Sequence, residues 1–165
     1  MKIMKILIDS EVNDKTAAKV DELIRFFLGK LLPKNISEEI TVDVEFEPRL
    51  DEIALVYVDH DDEYIRDPRE FKLVIRNKRK EIEPTIAHEC VHIKQFALNV
   101  LRNDVIVRMK AKNQIVREEV RVWNEQDWLP ELDEDIDYDS PWEIEAYGRE
   151  VGLVKQWEKH KRDKT

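Results

Sequence analysis

Pro84-Thr85-Ile86-Ala87-His88-Glu89-Cys90-Val91-His92-Ile93-Lys94-Gln95-Phe96-Ala97 is the stretch from which the rest of this chain is read. Its apolar residues recur at helical spacing, through Ile93, Phe96 and Ala97 and on to Val100 and Leu101. Pro84 suits the first turn of a helix. A helix that is apolar on most faces is a buried one, and this one carries His88, Glu89 and His92. Buried polar and charged groups need partners. Residues four apart on a helix lie one above the other, so both imidazoles face one point, where they can hold one metal ion. Glu89 is rotated by about 100° from His88 and sits beside that point. Two of the four His of the chain fall in this HExxH pentapeptide, which makes an accidental pairing the weaker reading. Cys90 is turned about 160° away from His92 and is expected in the core.

Two His on one helix are the layout in which Zn²⁺ is bound and a neighbouring Glu serves as general base on a zinc-bound water. A catalytic zinc takes a third protein ligand and keeps an open position. His60 and His160 are candidates, as are two carboxylates of a helix opening at Ser140-Pro141-Trp142-Glu143-Ile144-Glu145. Ser140 is a fair N-cap and Pro141 a good first residue. On a helical wheel Ile144, Tyr147, Val151 and Val154 form an apolar stripe, widened by Leu153 and Trp157. Glu143 falls inside that arc and Glu145 outside it, near Gly148, Gly152 and Lys155. The wheel therefore favours Glu143 as the third ligand, with Glu145 second. Glu150 lies near the same arc and is a candidate to support the ligands from outside.

HExxH on one helix, followed about fifty residues later by Glu-x-x-Ala on another, resembles the gluzincin type of zinc metallopeptidase. The pairing of His88-Glu89-x-x-His92-x-x-Gln95 with Pro141-Trp142-Glu143-x-Glu145-Ala146-Tyr147 looks like small phage-encoded, SprT-like metallopeptidase domains, although SprT proteins themselves tend to use a third His. The chain departs from the gluzincin pattern at Tyr147, where that group has an acid or amide that orients a ligand His. The resemblance implies peptide-bond hydrolysis on a peptide or protein substrate, with His88, His92 and Glu143 on zinc and Glu89 as the base. Tyr147, Tyr138 and Arg149 are candidates to stabilise the oxyanion. It also implies that an extended substrate pairs with a strand beside the active helix, for which Phe71–Arg76 or Ala54–Asp59 could serve. The alternative from another class is a zinc-containing binding or assembly module without turnover, which would need a fourth protein ligand such as His60.

Composition is consistent with one folded domain spanning 1–165. The chain is 39% charged and 42% hydrophobic, with only three Gly and six Pro, which suggests regular elements and short loops. A net charge of −9 disfavours nucleic acid as a general partner. The locally basic C-terminal stretch 155–165 is read as a solvated helix end, with cations favoured near the C-terminus. With one Cys, no internal disulfide is possible. No apolar run approaches a membrane span, and the Met1–Ile8 start is too short for a signal peptide, so the cytoplasm is the expected compartment.

The remaining pattern predicts an α+β fold: an N-terminal helix and a short mixed sheet packed on the HExxH helix and the C-terminal ligand-bearing helix. Strands are expected at 3–9, 40–46, 54–59 and 71–76. The first helix runs from Lys15 to Leu32 and closes at Gly29 and Pro33. A hairpin or two short strands over 105–109 and 115–123, turning near Asn113-Gln114, leads into an acidic loop at 125–139. The alternating Asp133, Asp135, Asp137 and Asp139 lack the Gly and Glu that a calcium loop requires.

Overall fold

The computed structural model describes residues 2–62, 64–76, 82–110, 114–128 and 139–165. The Asp133–Asp137 pattern, Tyr138 and Asn113 lie outside these. The chain is an α+β protein. Strand β1 (Lys5–Ile8) leads into helix α1 (Asp14–Leu31) and a single turn α2 (Lys34–Ser37). Strands β2 (Thr41–Phe46), β3 (Ala54–Val58) and β4 (Glu70–Ile75) precede helix α3 (Ile82–Ala97). Strands β5 (Leu101–Lys110), β6 (Gln114–Trp123) and β7 (Gln126–Trp128) follow, and helix α4 (Pro141–Lys164) closes the chain. No helix among the described residues is long and apolar enough to cross a membrane.

The first sheet has the order β1-β2-β4-β3. β1, β2 and β4 run parallel, and β3 runs antiparallel to β4. The alternation of β2 and β4 gives the sheet its buried face. Val42, Val44, Phe71, Leu73 and Ile75 point into the core, and Thr41, Asp43, Glu45 and Lys72 point the other way. Helix α1 lays Val20, Leu23, Ile24, Phe27 and Leu28 on that core. Its start is fixed by Asn13, whose side chain accepts from the Thr16 amide at 3.0 Å.

Helix α3 is the central element, packing against α1, α4 and β3. Ile86, Ala87, Cys90, Val91, Ile93 and Ala97 are all fully or almost fully buried in it. It stops at Ala97, short of the Leu101 that helical periodicity predicts. Asn99 adopts a left-handed φ of 54°, its amide bonds Phe96 O, and the Val100 amide bonds Gln95 O. That pair of bonds is a Schellman closure, with Asn in the position Gly usually takes. Leu101 is thereby released to start β5.

The hairpin is longer than the short strands expected. β5 and β6 pair over ten residues each, from Leu101 opposite Trp123 to Lys110 opposite Gln114. A further strand, β7, lies where an acidic loop was expected. Asn124 and Glu125 both have positive φ (48° and 63°), the backbone of a two-residue type I′ turn, and Trp123 pairs with Gln126.

Helix α4 buries the edge of the wheel's stripe that Leu153 and Trp157 widened, not its centre. Ile144, Tyr147 and Val151 are exposed, and Trp142, Ala146, Leu153 and Trp157 are buried. The wheel weighted the number of apolar side chains. The helix instead seats the two Trp, which carry the most apolar area, with Ala146 allowing close approach to α3. The basic stretch from Lys155 is the end of this helix, as expected, and runs to Lys164. It docks on α1 through Trp157, whose ring centroid lies 5.2 Å from that of Phe26.

Candidate metal centre

His88 and His92 stand one turn apart on α3, and Glu143 meets them from the first turn of α4. Glu143 Oε2 is 3.1 Å from His88 Nε2, and Glu143 Oε1 is 3.2 Å from His92 Nε2. The two Nε2 atoms are 3.1 Å apart. One donor atom from each residue lies within 4.8 Å of the others. Four-coordinate zinc with bonds of ~2.0–2.1 Å needs neighbouring donors roughly 3.3 Å apart. The donor set and its spacing therefore fit a metal ion. Both His are buried and Glu143 is half-buried, so solvent would compete weakly.

Each imidazole is braced at its other nitrogen. His88 Nδ1 lies 3.0 Å from Glu150 Oε2, and His92 Nδ1 lies 2.8 Å from Gln95 Oε1. Tyr147 places its ring against His88 at 4.5 Å between centroids.

Glu145, the second carboxylate considered for ligation, points elsewhere. It pairs with Lys94 at 2.6 Å and Arg149 at 2.8 Å, and accepts from Gln95 Nε2 at 3.0 Å. The two carboxylates occupy opposite shoulders of the buried face centred on Trp142 and Ala146. Glu145 is thus a tie between α4 and α3, not the outward residue the wheel implied. His60 is exposed in a loop and accepts from the Asp62 amide through Nδ1. His160 packs on Phe26 at 4.9 Å. Neither joins the cluster. Arg149, an oxyanion candidate in sequence, is engaged with Glu145 and does not line the cleft; Tyr147 does line it.

The centre opens into a cleft of about 700 Å³. Its walls include β3 and the residues before it, α3, the start of α4, and Arg121 of β6. Arg121 holds its guanidinium 5.2 Å from the ring of Trp142. Asp51, Glu52, Glu89, Glu143 and Glu150 line the same space, so the cleft is acidic around its donors. Sequence reasoning did not connect Asp51, Glu52 or Arg121 with the site. The chain alone carried no periodic signal that would bring them there.

Electrostatics separate the carboxylates. Burial pushes Glu143 up, but hydrogen bonds from His88 and His92 and their charges outweigh it, lowering its pKa to about 2. Glu89, 6% exposed, is pushed up to about 7 by burial, against the opposing pull of His92 and His88. Burial alone would lower His88, but its bond to Glu143, the charges of Glu89 and Glu143 and the bond to Glu150 raise it. A Glu that binds a proton near neutrality, beside three converging donors, suits proton transfer to and from a reacting group. The buried Cys90 thiol is pushed well up by desolvation and belongs to the core.

Of the two strands considered for substrate pairing, β4 is interior, bonded to β2 on one side and β3 on the other. Its ladder is filled on both edges. β3 is the edge strand, and Ala54, Leu55 and Val56 line the cleft. The Asp59 amide bonds Glu70 O and the Arg76 amide bonds Ile53 O. By antiparallel alternation, the backbone groups of Ala54, Val56 and Val58 then face away from β4, toward the open edge.

Comparison of the chain with protein-family models, with curated proteins and with solved structures finds no match.

Proposed function

We propose that this protein is a zinc-dependent peptide hydrolase. The observation that carries the reading is the convergence of His88, His92 and Glu143 within 4.8 Å at the floor of a cleft that Glu89 also lines. Those three residues would hold the ion. The nitrogen and carboxylate donors suit zinc among the common divalent metals. A zinc ion there supplies Lewis-acid activation of water and of the substrate carbonyl. Glu89 takes the proton from the attacking water and delivers it to the leaving amine, a role to which a pKa of about 7 is matched. Glu143, held far below neutrality, stays ionised and serves binding alone. Tyr147 is the oxyanion candidate that lines the cleft. The edge of β3 takes an extended peptide by strand addition, with Ala54 and Val56 contributing the outward backbone groups.

A structural zinc favours four protein donors. Among the described residues the cluster contains three, which supports an open position and a catalytic role over a binding module. Metal analysis by mass spectrometry tests the reading. About one zinc per chain in the wild type, lost in His88→Ala and in Glu143→Ala and kept in Glu145→Ala, supports it. Peptide cleavage that disappears in Glu89→Gln while zinc is retained completes it. A wild-type protein that takes up no zinc overturns it.

A further inference from the structure

Gln95 is fully buried at 0% exposure, one turn beyond His92, and it is the only described residue whose side chain bridges a His of α3 to the backbone beside Glu143. Its Nε2 donates to Trp142 O at 2.9 Å and to Glu145 Oε2 at 3.0 Å. Its Oε1 lies 2.8 Å from His92 Nδ1. An amide can be turned over without changing its shape, so its orientation has to be argued from its neighbours. Here they decide it. Both partners of Nε2 are acceptors, a carbonyl and a carboxylate. Reversing the amide would set Oε1 against two acceptors in a buried site, at a cost set by unmade hydrogen bonds. Oε1 therefore faces the imidazole, and the ring nitrogen that meets it must donate.

We infer that Gln95 is the positioning residue of the centre: it holds a proton on His92 Nδ1, turns Nε2 toward Glu143 and His88, and sets the spacing between His92 and Glu143 by gripping both sides of Glu143. Trp142 precedes Glu143 and Glu145 follows it by two residues. One side chain thus couples the tautomer on α3 to the seating of α4. Lys94, at 2.6 Å from Glu145, and Arg149, at 2.8 Å, both donate to Glu145, so its carboxylate meets the amide as an acceptor. Gln95 touches no reacting atom. Its effect on zinc rests on the metal reading above; the tautomer itself does not.

Long-range ¹H–¹⁵N correlation spectra of metal-free, ¹⁵N-histidine-labelled protein read the tautomer directly. His92 is expected with its proton on Nδ1 in the wild type. Gln95→Met keeps the length of the side chain and removes the acceptor. It is expected to release the tautomer and to weaken zinc binding 10–100-fold in chelator competition, the range typical of lost outer partners. Gln95→Glu restores an acceptor for Nδ1, so it recovers the tautomer while losing both donations to α4. A residue that only fills the core would lower stability in Gln95→Met with the tautomer and zinc affinity unchanged. Wild-type His92 without a proton on Nδ1, or a folded Gln95→Met with wild-type zinc affinity, overturns the assignment. Peptide cleavage enters neither readout. A protein that holds His92 this way and cleaves nothing fails the hydrolase reading alone, and a protein that cleaves peptides with His92 in the other tautomer fails this one alone.

Discussion

Glu150 Oε2 lies 3.0 Å from His88 Nδ1, two helical turns beyond Glu143 on the same face of α4. One helix therefore presents a carboxylate to each nitrogen of one imidazole: Glu143 to Nε2 and Glu150 to Nδ1. A carboxylate on the far nitrogen orients a ligand His and raises its basicity. Glu150→Ala is expected to weaken zinc binding 10–100-fold and leave the fold intact, as chelator competition and circular dichroism would report. Unchanged affinity would mean that Glu150 is a bystander.

Glu145 and Glu143 differ in kind although two residues separate them. Glu145 is 19% exposed at its side chain and bonded to Lys94, Gln95 and Arg149. Charge-assisted hydrogen bonds at such a site contribute about 1–3 kcal/mol. Glu145→Ala should cost roughly that in urea unfolding, with zinc content retained. Glu143→Ala should abolish zinc uptake and also cost the metal-free protein the stability that its lowered pKa supplies above pH 4.5.

Glu89 makes the metal-free protein sensitive to pH in a definite direction. Its pKa rises from 4.5 when unfolded to about 7 when folded, so the folded state binds the extra proton. The corresponding stability is fully present below pH 4.5 and is lost as pH climbs through about 7. Two to three units correspond to about 3 kcal/mol. His88 is also raised and acts in the same sense, so the comparison of two proteins isolates Glu89 better than one curve. Metal-free Glu89→Gln should match the wild type near pH 4 and exceed it by up to about 3 kcal/mol near pH 8. Parallel curves across that range would remove Glu89 from the buried, raised class. Glu143 titrates the opposite way. Its lowered pKa contributes stability above 4.5 that disappears as pH falls toward about 2.

The open edge of β3 gives a prediction that separates binding from chemistry. Val56 turns its amide away from β4 and lines the cleft. Val56→Pro removes that donor and leaves the β3–β4 ladder whole, and Pro is tolerated on edge strands. About a tenfold loss of kcat/KM is expected, the size of one hydrogen bond, with zinc content unchanged. Tyr57→Pro, which breaks a bond to β4, should instead lower the melting temperature.

Much of this was legible in the chain, for reasons that differ by element. The strand expected at 40–46 is legible by alternation because Val42 and Val44 face the core while Thr41, Asp43 and Glu45 do not. The end of α3 was missed by four residues, although Asn99 carried the signal; periodicity continued past it by coincidence into β5. Strand β7 was missed because a turn of Asn124 and Glu125 lacks the Gly that usually marks one. Leu153 and Trp157 of the apolar stripe of α4 are buried as expected, but its centre at Ile144, Tyr147 and Val151 is exposed, because a wheel counts side chains and cannot weigh which face has something to pack against.

The sequence by itself determined that two imidazoles and a carboxylate share one buried helix. A spacing of four residues fixes their common side through helix geometry alone, and no tertiary contact is needed for it. Only the tertiary structure decided which carboxylate of α4 meets them, what holds each imidazole, and which strand edge is open. These depend on how α4 is rotated and seated against α3, and that rotation is set by the burial of Trp142, Ala146, Leu153 and Trp157 against residues far away in the chain.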